Sequence, residues 1–451
     1  MFQKQLFILA HQLFDRNFYP AYKKLIQNQF KSYEVLKAEQ EKQLKYAISY
    51  AYENVPYYHR LFRNLNLSPS DITKIDDLEK LPILTKEIVN QNFEDFKPVN
   101  LTKMKYCEAM TGGTTGIRFR YRYSKYDRTL SWALLYRGWG YGGFEFGDKM
   151  VFLQGSSLDF ESKPHIIKIG HEIVRNMKML SSFDLGEKEN REYVNIINSL
   201  KPKFIRGYSS SIFFFSKWIE KNNIEIHQPL AIFTTSDMLY PIMRKKIEAV
   251  FNCKVFNNYG LNDGGISAFE CSEHNGLHID TERSIMEVVD KKGNVIQNGE
   301  GRVIATSLYN YAMPFIRWET GDLCHINDDI CECGRGYKLL TNLLGKEQEI
   351  LETPDGKYVH GGFFTHIFRY INDIKEFQII QDKLDRIEIR LVINDGFDEK
   401  QLDRIKRIIH NKSIYWNVDF KYVEKIHRTA DGKYKFIKNQ IDLNNRHVVK
   451  H

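Results

Sequence analysis

Between Lys149 and Gly260 the chain repeats one pattern, and no other feature restricts its fold as much. The short apolar runs KMVFLQG (149–155), KFIRGYSS (203–210), AIFTTSD (231–237) and KVFNNYG (254–260) have the length and residue types of strands. Between the later ones lie NREYVNIINSLK (190–201), SIFFFSKWIEKNN (211–223) and YPIMRKKIEAVF (240–251), whose apolar residues recur at helical spacing. Strand alternating with helix predicts βαβ units and a parallel sheet. Ligands of such sheets bind beyond the C-terminal ends of the strands. GYSS, TSD and NNYG fall at those ends.

The flanking regions read differently. Residues 1–90 are helical and charged: SYEVLKAEQEKQLKYAISYAYENV carries apolar residues at helical spacing until Pro56, and LEKLPILTKEIV reads as a turn into another helix. IMEVVDKKGNVIQNGEGRVIATSL alternates and is punctuated by glycine, which predicts antiparallel strands with tight turns. From about residue 346 a last segment holds a hairpin-like pair, FQIIQDKLDRIEIRLVI, then the helical DEKQLDRIKRIIH. About a hundred residues suffice for a separate α+β domain. The expected class is therefore α/β. Residues 1–90 form the helical start of a large domain, 91–345 its core with a strand-rich part, and 346–451 a small second domain.

Composition excludes several classes. Hydrophobic residues make up 42% of the 451, so global disorder is excluded. No apolar run reaches the ~18 residues that span a bilayer. In MFQKQLFILAHQLFDRNFY the apolar part is broken by His11 and Gln12 and lacks a small-residue cleavage site, which predicts an amphipathic helix rather than a signal peptide. The net charge of +8 comes from 65 Lys plus Arg against 57 Asp plus Glu, interspersed, so nucleic-acid binding is not implied. A mild positive balance suits an anionic ligand. The six cysteines, Cys107, Cys253, Cys271, Cys324, Cys331 and Cys333, are too few for a disulfide scaffold, and a reducing cytoplasm is expected.

One loop asks for a function. In AMTGGTTGIRFRYRYS (109–124), Thr111 to Gly116 contain only Thr and Gly. Ile117, Phe119, Tyr121 and Tyr123 then alternate with Arg118, Arg120 and Arg122, the period of a strand. KMKYCEAM before it is also strand-like, so the loop joins two strands, and Ser124 with Asp127 fits a capping box opening a helix. It is not a Walker A loop, which needs Lys and Ser or Thr after the last glycine. Glycine N–H groups and Thr hydroxyls suit phosphate oxygens; a plain hairpin tip is the structural alternative.

Downstream, NNYGLNDGG (257–265), PFIRWETGD (314–322), GKEQEIL (345–351) and ADGKYKFIKN (430–439) follow in order. With the Gly/Thr loop and VPYYHRLF…LEKLPILTKEIV, this set resembles the acyl-adenylate-forming enzymes, in the branch of phenylacetate–CoA ligase-like and CapK-like capsular polysaccharide proteins. The resemblance covers nearly the whole chain. It implies a mobile C-terminal domain, ATP, magnesium and coenzyme A as cofactors, and a small carboxylic acid as substrate. Thr111, Gly112, Gly113, Thr114, Thr115 and Gly116 would hold the ATP phosphates, with Arg118 supplying charge in place of a missing lysine. Tyr259 would stack near adenine, Asp263 would help bind magnesium where the family has Glu, and Asp322 would hold the ribose hydroxyls. Lys346 stands at the hinge where the family has Arg, with Gln348 or Glu349 near the acidic hinge position. Lys433 would be the catalytic lysine, with Lys435 as its runner-up. The acyl group is expected near Tyr208, Phe214 and Phe215. A homodimer is compatible with this reading.

The reaction implied is carboxylate plus Mg-ATP to acyl-AMP, then transfer to a thiol. Transfer to an amine or sugar in surface-polysaccharide synthesis, or a non-catalytic nucleotide-binding homologue, are the alternatives. No G-x-S-x-G elbow favours a hydrolase. CSEHNGLH (271–278) and CECGRG (331–336) resemble a small zinc site of the same branch. Cys271, His278, Cys331 and Cys333 would be its ligands, with His274 and Cys324 as alternatives. Three thiolates and one imidazole make a closed, structural set; free thiols are the bland reading.

Overall fold

The computed structural model describes residues 2–111, 119–154, 165–181, 187–346, 350–355, 358–368, 371, 373–428 and 434–441. Five helices come first: α1 (Phe2–Phe14), α2 (Phe18–Asn28), α3 (Tyr33–Asn54), α4 (Pro56–Asn64) and α5 (Lys86–Gln91). Ser32 caps α3 by accepting from Val35 N, and Leu36, Gln40, Leu44, Ala47, Ile48 and Ala51 form its buried stripe. Pro56 ends α3 as expected. It also opens α4, where a missing N–H costs nothing.

The helical layer has a specific use. The buried Tyr58 hydroxyl donates to Pro314 O (3.0 Å) and accepts from Ile316 N (3.1 Å). Leu84 accepts from Glu319 N and donates to Arg317 O. Arg317, held at φ 52°, donates through Nη1 to Leu81 O at 2.7 Å. VPYYHRLF and LEKLPILT thus brace the segment PFIRWETGD that leads to Asp322. Replacing Tyr58 by Phe leaves a buried N–H and a buried carbonyl without that partner, so Tyr58→Phe is expected to cost about 1–3 kcal/mol in urea unfolding. A loss below about 0.5 kcal/mol would rule the brace out.

After the hairpin β1 (Tyr106–Thr111) and β2 (Phe119–Ser124) comes α6 (Lys125–Tyr141). The alternating region then gives β3 (Met150–Gln154), α7 (His165–Arg175), β4 (Met177–Ser181), α8 (Glu187–Leu200), β5 (Phe204–Tyr208), α9 (Ser209–Lys221), β6 (Ala231–Thr235), α10 (Pro241–Phe251) and β7 (Lys254–Gly260). All four expected strands and three expected helices are present; β4 and α7 were not anticipated. Next come β8 (Ser267–Glu270), β9 (Leu277–Ile279), β10 (Ser284–Val289), β11 (Gly299–Ser307), β12 (Trp318–Asn327) and β13 (Leu339–Lys346). These thirteen strands, the β1–β2 hairpin apart, build one eleven-stranded sheet in the order β10-β11-β12-β13-β9-β8-β7-β6-β5-β3-β4. From β4 to β7 neighbours run parallel; from β7 to β10 they run antiparallel. The parallel strands and the strand-rich part are thus halves of one sheet.

The C-terminal part contains β14 (Ile350–Glu352), β15 (Tyr358–His360), α11 (Gly361–Phe368), β16 (Ile374–Lys383), β17 (Arg386–Ile393), α12 (Lys400–His410), β18 (Asn417–Tyr422) and β19 (Ile437–Asn439). Its four-stranded sheet runs β18-β17-β16-β19, with the expected hairpin β16–β17 at its centre. One apolar cluster extends from Val151, Ile205 and Phe251 into Phe377, Ile389 and Ile437. A second joins α3 and α4 to the antiparallel strands through Ile48, Tyr58, Tyr259, Phe315 and Trp318. Among the described residues no helix is long and apolar enough to cross a membrane.

Candidate active site

β1 and β2 pair antiparallel with Thr111 opposite Phe119, so the Gly/Thr stretch connects two strands as expected. Gly112, Gly113, Thr114, Thr115, Gly116, Ile117 and Arg118 lie outside the described residues. Tyr121 on β2 is buried and leans on Phe315, in the same cluster as Tyr259. Burial, and then the carboxylate of Asp263, raise the Tyr121 hydroxyl well above its ordinary value. Asp263 lies in the turn after β7. Ser124 caps α6 by accepting from Asp127 N at 3.2 Å. The expected return bond from Asp127 is replaced: its carboxylate pairs with buried Arg283 (3.0 and 2.6 Å), and Ser124 N donates to Asn310 Oδ1.

Tyr259 is the penultimate residue of β7 and Asp322 lies on β12, and the sheet brings them together. The Tyr259 hydroxyl donates to Asp322 Oδ2 at 2.8 Å, with both residues buried. Burial, then Asp322, push the Tyr259 hydroxyl far up, so it stays a donor. Asp322 N donates to Thr320 Oγ1, which fixes the carboxylate's backbone. Tyr259 thus orients a buried carboxylate and belongs to the apolar cluster that also holds Tyr121, Ala268 and Ala305. Lys346 pairs in register with Asp322 across β12 and β13, so the chain leaves the large sheet beside that carboxylate. Gln348, Glu349 and Lys433 lie outside the described residues; Lys435 O accepts from Gln378 Nε2 at 2.8 Å.

The three aromatics expected near an acyl group separate. Tyr208 ends β5 and is buried. Phe215 is core, against Tyr193 and Phe251. Phe214 turns the other way, onto Tyr434 and Phe436 of the C-terminal part. A cavity of about 1580 Å³ opens there, lined among others by Phe214, Lys217, Lys375, Arg428 and Phe436, but not by Tyr259, Asp263 or Asp322. Sequence reasoning placed TSD at a strand end but gave Asp237 no role. It follows Ser236, whose φ of 70° is rare outside glycine, and its carboxylate accepts from Ser210 N and Oγ at the start of α9. A Ser run after one strand and an Asp after the next was the available signal.

The cysteine cluster converges. Cys271 follows β8, His278 lies on β9, and Cys331 and Cys333 occupy the turn between β12 and β13. Their ligand atoms all lie within 4.8 Å of one another. Cys271 Sγ to Cys331 Sγ is 3.6 Å and Cys333 Sγ to His278 Nε2 is 3.3 Å. A tetrahedron with ~2.3 Å metal–sulfur bonds has sulfur–sulfur edges of about 3.8 Å, so the set fits zinc. Burial, then Arg335 and Arg137, lower His278 to about 4, leaving it the neutral ligand a metal needs. His274 is engaged elsewhere, 3.1 Å from Glu270, and Cys324 is buried in the other cluster. Beside the set, buried Arg137 ties Asp280, Glu282 and Tyr337 together.

The chain is similar to known proteins in sequence and in fold. Residues 351–440 match the family described as the CapK C-terminal domain. Protein CapK of Staphylococcus aureus is 26% identical over 400 residues, 87% of each chain. A phenylacetate-coenzyme A ligase of Thermus thermophilus is 27% identical over 395 residues, 81% of this chain and 83% of its own. The crystal structure of a 2-hydroxyisobutyryl-CoA ligase in the postadenylation state superposes with a TM-score of 0.73 at 15% identity, covering 93% of this chain and 92% of its own. At that identity the likeness speaks for the fold.

Proposed function

Because the chain belongs to the acyl-adenylate-forming superfamily, in its phenylacetate–CoA ligase-like and CapK-like branch, we propose that it activates a small carboxylic acid. The acid's carboxylate oxygen attacks the α-phosphate of ATP, giving acyl-AMP and pyrophosphate. The thiol of coenzyme A then attacks the acyl carbon, releasing AMP and a proton and forming the thioester. The observation that carries this reading is the buried Tyr259–Asp322 hydrogen bond, in one cluster with the base of the β1–β2 hairpin.

Each residue would contribute a distinct service. Asp322, oriented by Tyr259, accepts from the vicinal ribose hydroxyls through a carboxylate that burial keeps dry. Thr111 to Gly116 offer backbone and hydroxyl donors to the phosphates. Asp263 would hold magnesium, which usually takes one or two carboxylates and the substrate's own phosphate oxygens; its chemistry there is charge neutralisation. Lys433 answers the charge that develops at the α-phosphate. Residues 346–451 act as the mobile domain that carries this lysine, with Lys346 at its start. Zinc at Cys271, His278, Cys331 and Cys333 would be structural, since four protein ligands leave no open position.

A second reading is supported by the similarity to Protein CapK and to the CapK C-terminal domain: the same adenylation with an amine or sugar acceptor in surface-polysaccharide synthesis. The departures Ile117, Asp263, Lys346 and Gln348 favour a third, a nucleotide-binding homologue without catalysis. One experiment orders the three. ATP–pyrophosphate exchange is measured with magnesium over a panel of carboxylic acids, without acceptor. Exchange with one acid is expected, and consumption of the adenylate by coenzyme A rather than by amines or sugars selects the first reading. ATP binding without exchange for any acid would favour an acid outside the panel or the third reading.

A further inference from the structure

α9 starts at Ser209, directly after β5, so Phe214 stands in its second turn at the ligand end of the parallel strands. The helix keeps Ile212, Phe215, Ser216 and Ile219 against the sheet, and Phe214 projects off that face. There it meets the C-terminal part. Its ring is edge-on to Tyr434 at 5.1 Å and stacked on Phe436 at 6.0 Å. Tyr240, which follows β6 in the same large domain, meets Phe436 edge-on at 6.3 Å.

On the other side Tyr434 has little freedom. It is 4% exposed. Its hydroxyl accepts from Phe377 N at 2.9 Å and donates to Phe377 O, so the ring is pinned to the backbone of β16. Arg428 lies over the same ring at 4.2 Å, itself paired with Glu376 at 2.7 Å. Such a residue transmits position: whatever holds its ring holds its backbone. The next residue toward the N-terminus in the sequence is Lys433.

We infer that Phe214 is a positioning residue for adenylation. Its ring, with Tyr240, latches Tyr434 and Phe436 at the ligand end of the large sheet and thereby sets where Lys433 can reach. The inference rests on the adenylation reading above. Edge-on and offset ring pairs are favoured by their quadrupoles, and a pair of them biases a domain arrangement without locking it. A latch of this kind serves the half-reaction that needs Lys433 and is released for the other. The cavity beside it, bounded by Phe214 and Phe436, leaves room for that release.

The test compares half-reactions in the full chain. With a carboxylate that supports exchange, Phe214→Ala is expected to lower the maximal ATP–pyrophosphate exchange rate about fivefold or more, with the KM for ATP within about twofold. Thioester formation from the chemically prepared acyl adenylate and coenzyme A should stay within about twofold, because that step does not use the latch. Phe214→Tyr, which keeps the ring, should restore exchange. Equal losses in both half-reactions, or no loss in either, would overturn the latch. Amide hydrogen exchange supplies a readout independent of activity: residues 434–441 should exchange faster in Phe214→Ala. If the wild-type chain supports exchange with no carboxylate, the adenylation reading is what has failed. Unchanged protection of residues 434–441 would then overturn the latch as well, and faster exchange there would uphold its contact.

Discussion

Lys433→Ala is expected to slow acyl-adenylate formation by about 10²–10³-fold, the usual cost of removing one charged or hydrogen-bonding group aimed at developing negative charge. The reason is local. When the carboxylate attacks, charge builds on the α-phosphate oxygens, and a cation held there is worth more in the transition state than in the ground state. ATP affinity measured by titration calorimetry should therefore change by no more than a few-fold, while pyrophosphate exchange collapses. Lys435→Ala is the control. Its backbone oxygen accepts from Gln378, so its chain position is fixed, and its side-chain loss should leave exchange within about threefold. If Lys435→Ala is the damaging change and Lys433→Ala the mild one, the two assignments are reversed. If neither matters, the catalytic lysine lies elsewhere and the similarity of ADGKYKF to the family pattern is accidental.

The second large effect concerns the cluster of Cys271, His278, Cys331 and Cys333. Three thiols and an imidazole drawn within 4.8 Å cannot hold three thiolate charges without a cation. Burial lifts the Cys271 thiol to about 12. A bound zinc reverses this by keeping the thiolates ionised and by crosslinking the β8–β9 turn to the β12–β13 turn. The purified chain is expected to carry about one zinc per molecule by mass-spectrometric metal analysis. Cys331→Ser should remove most of it and lower the thermal midpoint by about 5–15 °C, roughly 3–5 kcal/mol for a domain of this size. Adenylation measured well below the midpoint should survive, because the cluster donates no open coordination position to chemistry. A metal-free wild type with an unchanged midpoint in the serine variant would show the cluster to be a set of buried thiols.

The fold was readable wherever pattern and period agree. The runs from Met150 to Gly260 and the hairpin Ile374–Ile393 were recognisable because strand and helix periods alternate cleanly there. β4 was missed because MKMLS, no shorter than β3, β5 or β6, carries Lys178 and Ser181 among its five residues, and its neighbour β3 lies ahead of α7 in the chain. The merging of both strand sets into one sheet was not readable, because it depends on β13 reaching back to β9, a pairing of distant segments. Asp322 and Tyr259 were identified by motif, whereas the bond between them was not, since 63 residues separate the two. Asp127 shows the converse: local rules assigned it to a cap, and a buried arginine 156 residues away claimed it.

The strand order also has a consequence for how the chain must be made. β13 joins the two halves of the sheet, between β12 and β9, yet it begins at Leu339, some sixty residues after β9 ends. On the ribosome, at roughly 5–20 residues per second, β7, β8 and β9 can pair several seconds before that strand emerges. For that interval β9 is an open edge, and the apolar Leu277 lies along it. Synthesis that stops before residue 339 therefore leaves a sticky half-sheet, and truncations in that interval should be found with chaperones or in aggregates rather than as a smaller folded protein.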